Sequence, residues 1–229
     1  MNRAALSAEM TRNMTTRGSR WPSTLLVLLL VGVACVAIYT FRRPILRAAG
    51  WALVANENVK SADVIVLTID SDGGGVLEAA DLVHSGLAAR VALFVEFPDV
   101  IEQEFIRRGV PYENHATTSI RELNALGVGN VERISQYVSG TEDEGPALAA
   151  WCDQQRIRSV VVITSPDHSR RIRRVLHRAV KGNNTSFAIH CARYSTFDPD
   201  HWWETHDGTR IEIEELEKLL LDIVRHPMS

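Results

Sequence analysis

The sequence predicts an α/β protein with a three-layer, Rossmann-like, doubly wound and mostly parallel sheet, preceded by one transmembrane helix. Three observations support this prediction. Short apolar runs rich in β-branched residues recur along the chain, as buried parallel strands do. Segments with helical spacing of apolar residues alternate with these runs. A charge-free stretch near the N-terminus is long enough to cross a bilayer.

The charge-free stretch covers residues 21–41 and reads WPSTLLVLLLVGVACVAIYTF. As a helix it spans a hydrocarbon core of about 30 Å. Residues 1–20 are then a cytoplasmic tail and residues 42–60 a juxtamembrane connector. Arginines flank the stretch on both sides, so the positive-inside bias is small, and the shortness of the tail favours a cytoplasmic N-terminus.

Three alternatives compete with a membrane span. A buried helix of a soluble domain rarely runs this long without a charge. A cleaved signal peptide has a shorter apolar core, and no A-x-A-like site follows this one. A lipoprotein site at Cys35 requires a larger aliphatic residue where Gly32 stands. We therefore expect an uncleaved single span, with the C-terminal domain outside the cytoplasm.

Composition and motifs restrict the classes of function. The net charge of -3 provides no electrostatic reason to expect a nucleic-acid partner. The three cysteines show neither metal-ligand spacing nor a disulfide framework, so we predict no metal site. The glycines form neither a dinucleotide-binding fingerprint nor a phosphate-binding P-loop, and the cofactor is therefore left unknown.

The α/β domain is expected to span residues 61–229, with glycines ending several of its helices. The spacing of Thr141 and Glu144 suggests a capping box at one helix start. The expected strands are at 62–69, 91–95, 112–117, 131–138, 160–163 and 187–191. The expected helices follow the first strand up to Gly86, and then lie at 98–108, 119–126, 144–156, 168–179 and 212–225.

Two expectations concern how the last two helices pack. Apolar residues at helical spacing in the terminal helix should face the core. These are Ile213, Leu216, Leu219, Leu220 and Ile223. In the helix before it, the arginines at 170, 173, 174 and 178 are expected to form a solvated face.

The stretch from Val160 to Ala179 is the strongest candidate for a functional site. A buried strand, a polar turn and a helix start follow each other there, where open α/β sheets bind ligands. His168 can act as an acid, a base or an anion contact, and Arg171 can clamp a phosphate. We predict catalytic roles for these two residues and ligand-binding roles for Thr164 and Ser165. The alternative is a helix capped by Ser165 or Asp167.

The loop after the first strand is the second candidate. Its glycines allow a close backbone approach, and its carboxylates suit a cation or a sugar hydroxyl. The alternative is a flexible, solvated turn. Thr141 and Glu144 start a helix that can face the same rim. The predicted ligand-binding residues here are therefore Asp70, Asp72, Gly73, Gly74, Thr141 and Glu144.

Several of these pieces resemble the SanA, ElyC and YdcF-like family of bacterial envelope proteins. The most specific is Thr164-Ser165-Pro166 with His168 and Arg171, which is similar to the family's T-S-x-x-H-x-x-R segment. The remaining pieces, in the family's order, are Ala79–Ala88, Gly109-Val110-Pro111, Thr141 with Glu144, Trp202-Trp203, and Glu214–Lys218. One feature departs from the family pattern. The family usually carries a glycine-rich loop with an arginine after the first strand, but no arginine lies between Asp63 and Ala89 here.

The resemblance covers about residues 61–225 and implies a Rossmann-like fold and a role in cell-envelope biogenesis. It implies a single-pass protein of the bacterial inner membrane, with an anionic-ligand site at the carboxyl ends of the parallel strands. The expected partners are the lipid bilayer and an anionic small molecule or glycan precursor. Two alternatives remain open: an enzyme acting on a phosphorylated or lipid-linked carbohydrate precursor, and a non-enzymatic scaffold with a degenerate site.

Overall fold

The computed structural model describes residues 21–182 and 184–228. The chain forms two compact units, of which the first ends at Ile45 and the second begins at Leu46. The second unit contains a five-stranded sheet, parallel throughout and flanked by helices. This confirms the predicted α/β fold class. The predicted cytoplasmic tail, residues 1–20, lies outside the described residues.

The secondary structure alternates as the sequence predicts. The strands are β1 (Val64–Leu67), β2 (Val91–Glu96), β3 (Val131–Val138), β4 (Ser159–Thr164) and β5 (Ser186–Cys191). The helices are α1 (Trp21–Leu53), α2 (Asp72–His84), α3 (Val100–Arg107), α4 (His115–Ala125), α5 (Thr141–Gln155), α6 (Ser169–Ala179) and α7 (His206–Arg225). Short 3-10 turns lie at Ile69–Ser71 and Trp202–Glu204.

Within the described residues, α1 is the one helix long and apolar enough to cross a membrane. The span that meets this test, Leu25–Leu53, has a mean hydropathy of 2.3 in its most apolar window. The helix continues past the predicted end at Phe41, with Pro44 inside it. Its last residue, Leu53, is buried against Phe197 and Leu219 in the second unit. The first part of the predicted connector is therefore helical.

Residues after α1 are tied into the α/β unit by hydrogen bonds. The amide of Ala55 donates to Ser169 Oγ at 2.7 Å. The amide of Glu57 donates to the carbonyl of Ile189 at 2.9 Å, and Asn56 Oδ1 accepts from the amide of Cys191 at 3.1 Å. The compact unit therefore begins before residue 61, where the sequence places the domain boundary.

The strand order is β3-β2-β1-β4-β5. Val66 of β1 lies in register with Ala92 on one side and Val162 on the other. The chain moves outward from β1 through β2 to β3, and then crosses back to the other side of β1 to form β4. The order of the sheet reverses between β1 and β4, and the carboxyl ends of these strands therefore border a topological switch point.

Strand β1 is buried on both faces, which explains its unbroken apolar sequence. Val64 and Val66 belong to the core cluster that includes Ile172 of α6. Ile65 belongs to the opposite cluster, with Val76 of α2. The two clusters are the two interfaces of a three-layer helix–sheet–helix arrangement.

The two largest differences from the sequence-based prediction are a strand that does not form and a helix that begins earlier. The predicted strand at 112–117 is wrong, because α4 begins at His115 and the side chain of Asn114 caps it by accepting from the amide of Thr117 at 2.9 Å. Helix α7 begins at His206 rather than 212. Thr205 Oγ1 accepts from the amide of Gly208 at 3.0 Å and so caps the longer helix.

The buried face of α7 is more acidic than predicted. Leu219 is buried and Leu216 is partly buried, as expected. The prediction is wrong for the other three core candidates, which are exposed: Ile213, Leu220 and Ile223. The buried polar positions of α7 are Glu212, Glu215 and Asp222.

The arginines of α6 explain this acidic face, and the prediction that they are solvated is wrong for two of them. Arg174 and Arg178 have side chains that are only 15% and 22% exposed, and both form ion pairs with Asp222. Arg173 pairs with Glu57 at 2.6 Å, and Arg170 Nη2 donates to the carbonyl of Val54 at 2.7 Å. The arginines of α6 therefore hold it against neighbouring segments, which provide carboxylates and a backbone carbonyl as acceptors.

Candidate functional site

The candidate site lies at the switch point between β1 and β4. Asp70 is in the 3-10 turn that follows β1, and His168 is the residue before α6, which follows β4. The distance from His168 Nε2 to Asp70 Oδ2 is 3.1 Å, and the two side chains are 1% and 45% exposed. His168 therefore supports Asp70 from within the protein, and Asp70 presents its carboxylate to solvent.

Arg171 determines which nitrogen of His168 carries the proton. Its Nη2 lies 2.8 Å from His168 Nδ1. Because a guanidinium has only donors, Nδ1 must accept, and the proton of the neutral imidazole is on Nε2, directed at Asp70. Arg171 Nη1 also donates to Thr141 Oγ1 at 2.6 Å. The predicted pair His168 and Arg171 is thus brought together with Thr141.

Glu215 of α7 completes this network. Arg171 Nε and Nη2 donate to its carboxylate at 3.0 and 3.3 Å, and Lys218 Nζ does so at 2.7 Å. Burial acts to raise the pKa of Glu215, but the hydrogen bonds from Arg171 and Lys218 outweigh it and hold the pKa well below its usual range. Glu215 is therefore a fixed negative charge at the site.

Glu144 is fully buried beside the same turn. Its Oε1 accepts from the amide of Ile69 at 2.9 Å. Its Oε2 has no hydrogen-bond partner in the part of the chain that the structure describes. Burial raises the pKa of Glu144 to about 7. A carboxyl group in this position is a candidate for binding a proton or a cation.

The predicted capping box at Thr141 and Glu144 is wrong. Helix α5 has Gly140 at its N-cap position, and no side-chain hydrogen bond caps it there. Both side chains instead point into the switch-point network, where Thr141 binds Arg171 and Glu144 binds the turn after β1. They lie beside the site, but both are buried, so they support the cavity from behind and do not line its rim as predicted.

The residues that end β4 have different environments. The Oγ1 atoms of Thr164 and of Thr68, which follows β1, are buried, and neither has a hydrogen-bond partner among the described residues. Ser165 is half-buried and lines a cavity. Neither Ser165 nor Asp167 caps α6, whose N-cap position is His168 without a side-chain cap.

A polar cavity of about 630 Å³ lies beside Asp70. Its lining includes most of the predicted ligand-binding residues and four charged residues of α7. These are Asp70, Asp72, Gly73, Gly74 and Ser165, together with Arg210, Glu214, Glu215 and Lys218. His168, Arg171, Thr141, Glu144 and Thr164 lie behind this lining rather than in it. The predicted site residues therefore divide into a cavity wall and a buried support.

Gly73 and Gly74 belong to the first turn of α2 rather than to a flexible loop, so that alternative is wrong. Asp72 begins the helix with a φ of 46°, in the left-handed region that few non-glycine residues adopt. The backbone is strained at this residue, as is common beside ligand sites.

Sequence reasoning missed four residues of α7 as members of the site: Arg210, Glu214, Glu215 and Lys218. Nothing in local periodicity marks a glutamate of an amphipathic helix as buried. The resemblance contained the signal, because Glu215 and Lys218 belong to its closing segment, Glu214–Lys218. Comparison with models of known protein families and with curated proteins finds no match, and the family resemblance remains a prediction.

Glu212, on the same buried face of α7, makes stability depend on pH. Neither oxygen of its carboxyl group has a partner among the described residues, and burial, with the charge of Asp167, raises its pKa to about 7. The unfolded chain ionises this group near pH 4.5, so the folded state holds the extra proton between pH 4.5 and 7. Stability therefore falls as the pH rises through this window and levels off above it.

Glu212→Gln should remove this fall. We expect the variant to be more stable than the parent chain by about 1–3 kcal/mol at pH 8 and nearly equal to it at pH 4. Thermal unfolding followed by circular dichroism across this range measures the effect. Glu217→Gln, exposed on the same helix, is the matched control and should leave the profile unchanged. Parallel profiles for the parent and Glu212→Gln would contradict the assignment.

Proposed function

We propose that the chain is a single-pass protein of the bacterial inner membrane that takes part in cell-envelope biogenesis. Its domain binds a phosphorylated carbohydrate precursor, free or lipid-linked, in the switch-point cavity. The observation that supports this most directly is the polar cavity beside Asp70, where open α/β sheets bind their ligands. The apolar helix α1 supports the membrane location.

The cavity offers partners for both halves of such a ligand. The carboxylates of Asp70 and Asp72 accept hydrogen bonds from sugar hydroxyls. Arg210 and Lys218 provide charged donors for phosphate. The amino end of α2, whose first turn includes Gly73 and Gly74, adds backbone donors and the positive end of the helix dipole.

An enzymatic role is the second candidate, and the pair of Asp70 and His168 favours it. His168 holds the carboxylate of Asp70 in one orientation while leaving it exposed to the cavity. Asp70 is then the group that touches substrate and accepts a proton from an attacking water or hydroxyl. In this proposal His168 and Arg171 are positioning residues: His168 orients Asp70, and Arg171 keeps the ring proton on Nε2.

Arg210→Gln tests the binding proposal. Titration calorimetry of the full chain in detergent with UDP-N-acetylglucosamine should show binding that the variant weakens about tenfold, because a charge-assisted hydrogen bond to phosphate is lost. Arg121→Gln is the matched control. Arg121 is similarly exposed and pairs with Glu113 at 2.7 Å, as Arg210 pairs with Glu214 at 3.3 Å, but it lies outside the cavity lining. The control should bind like the parent chain.

Further outcomes separate the alternatives. Binding without product, also after prolonged incubation, supports a ligand-binding factor and removes the enzymatic candidate. Product formation that Asp70→Asn abolishes supports the enzyme. If neither UDP-N-acetylglucosamine nor undecaprenyl diphosphate N-acetylglucosamine binds, the proposal fails and a scaffold with a degenerate site is left.

A further inference from the structure

Asp70, Glu144 and His168 bring three potential ligand atoms together at the switch point. One atom from each residue lies within 4.8 Å of the other two. We propose that this cluster binds a divalent transition-metal ion. The inference deepens the proposed function, since the ion would provide positive charge beside the cavity for a phosphorylated ligand. The spacing of cysteines and histidines in the sequence predicts no metal site, and the three residues of this cluster are separated along the chain by 74 positions from Asp70 to Glu144 and by 24 from Glu144 to His168.

Unsatisfied buried oxygens support this proposal independently of the clustering. Glu144 is fully buried, yet its Oε2 has no hydrogen-bond partner among the described residues. Two hydroxyl oxygens at the ends of β1 and β4 are also buried without a hydrogen-bond partner among the described residues. They are Thr68 Oγ1 and Thr164 Oγ1. An unpaired buried polar atom costs about 1–3 kcal/mol and is rare in folded proteins. A bound cation at Glu144 removes the largest of these costs.

The net charge of the adjacent cavity also supports a bound cation. Its carboxylates outnumber its basic side chains, and both basic groups already pair with glutamates. The carboxylates are Asp70, Asp72, Asp167, Glu214 and Glu215, and the basic groups are Arg210 and Lys218. A phosphate entering this cavity meets net negative charge. A divalent ion held by Asp70 and Glu144 neutralises both carboxylates and presents a positively charged centre where the phosphate would approach.

The donor set indicates the class of ion. Carboxylate oxygens accept many divalent cations, Mn²⁺ among them, but an imidazole nitrogen favours transition-metal ions such as Fe²⁺ or Zn²⁺ over Mg²⁺ and Ca²⁺. Three protein ligands leave coordination positions open for water or substrate, as catalytic sites require and structural sites do not. Asp70 is the exposed member of the cluster. The proposed ion therefore lies at the edge of the cavity, where it can contact a molecule bound there.

Ion binding at His168 Nε2 requires the ring proton to change nitrogen. Without an ion, the contact of Nδ1 with the Arg171 guanidinium, which can only donate, assigns the ring proton to Nε2. When Nε2 coordinates the ion, the same proton moves to Nδ1, which lies 3.5 Å from Glu215 Oε2. A metal-binding histidine commonly donates its second N–H to a carboxylate in this way. Arg171 gives up its bond to Nδ1 and keeps its bonds to Glu215 and Thr141.

Glu144→Gln tests the site while keeping an oxygen that can accept from the amide of Ile69. The full chain in detergent, stripped with a chelator, is titrated with MnCl₂ by calorimetry. We expect one Mn²⁺ per chain at this site and a loss of affinity of about tenfold or more in Glu144→Gln. Glu142→Gln is the matched control, because Glu142 lies in the same turn of α5 but is exposed and paired with Arg178. It should bind Mn²⁺ like the parent chain.

A measurement on the parent chain keeps the test decisive if the variant fails to fold. Electron spin-echo spectroscopy of the bound Mn²⁺ should detect the ¹⁴N nucleus of a coordinated imidazole. Absence of nitrogen coupling, or equal affinity in the parent chain and Glu144→Gln, overturns the proposal. No sugar ligand is present in these titrations, so their failure is distinct from a failure to bind UDP-N-acetylglucosamine.

Discussion

His168→Ala should lower the unfolding temperature of the chain by about 10 °C, which corresponds to a loss of about 3 kcal/mol. His168 is almost fully buried and contacts Asp70, Thr141, Arg171 and Glu215 through its two ring nitrogens. Truncation removes these contacts and leaves a cavity among Asp70, Thr141, Arg171 and Glu215. It also leaves Arg171 and Glu215 with one fewer partner in a buried setting, where unpaired polar atoms are costly.

His201→Ala is the control for this experiment. His201 also pairs with an aspartate, Asp198, at 2.9 Å, but both side chains are 59% exposed. An exposed pair contributes little to stability, and this variant should unfold within about 2 °C of the parent chain. Thermal unfolding followed by near-ultraviolet circular dichroism compares the two. Similar unfolding temperatures for both variants would show that the His168 network does not stabilise the switch point.

Gly74→Ala should destabilise the protein by about 3 kcal/mol, whereas the neighbouring Gly73→Ala should not destabilise it. A Cβ atom on Gly74 would lie 1.8 Å from the carbonyl oxygen of Tyr194, far inside van der Waals contact. The obstacle is backbone, so α2 or the segment at Tyr194 must move, and overpacking of this kind costs about 1–3 kcal/mol or more. Both segments line the cavity, and its shape should change as well.

Gly73 provides the comparison within the same helical turn. Apart from its chain neighbours and the backbone of its own helical turn, a Cβ atom there has no atom of the described residues within 4 Å. Alanine favours a helix over glycine by up to about 1 kcal/mol, and the expected change is therefore neutral or stabilising. Chemical denaturation of the two variants side by side measures the difference in sign. If both substitutions stabilise the chain, the close packing of α2 on Tyr194 is wrong.

The fold was largely predictable because its signals are local. β1 and β4 are buried on both faces, and only continuous apolar runs such as VIVL satisfy that position. The strand predicted at 112–117 failed because one side chain, Asn114, satisfies the amide of Thr117 and starts a helix there. A cap of this kind depends on the rotamer of a single residue, and an apolar pattern does not report it.

The site was predictable in part. His168, Arg171 and Asp70 stand at strand ends, and parallel strands bring their carboxyl ends to one edge of the sheet. Glu215 and the buried arginine contacts of α6 were not predictable in this way. A glutamate in a terminal helix has the sequence environment of a solvated residue, and only the packing of α7 on α6 buries it.

The sequence by itself determined the class of fold, the apolar N-terminal helix and the strand ends on which a site can stand, because hydrophobic periodicity and length are properties of neighbouring residues. The tertiary structure decided that Asp70 is exposed while His168 lies beneath it, and that Glu144 and Glu215 join them. Those relations depend on the order β3-β2-β1-β4-β5, which places β4 beside β1. Contacts between residues distant in the chain follow from that order, and no local pattern encodes it.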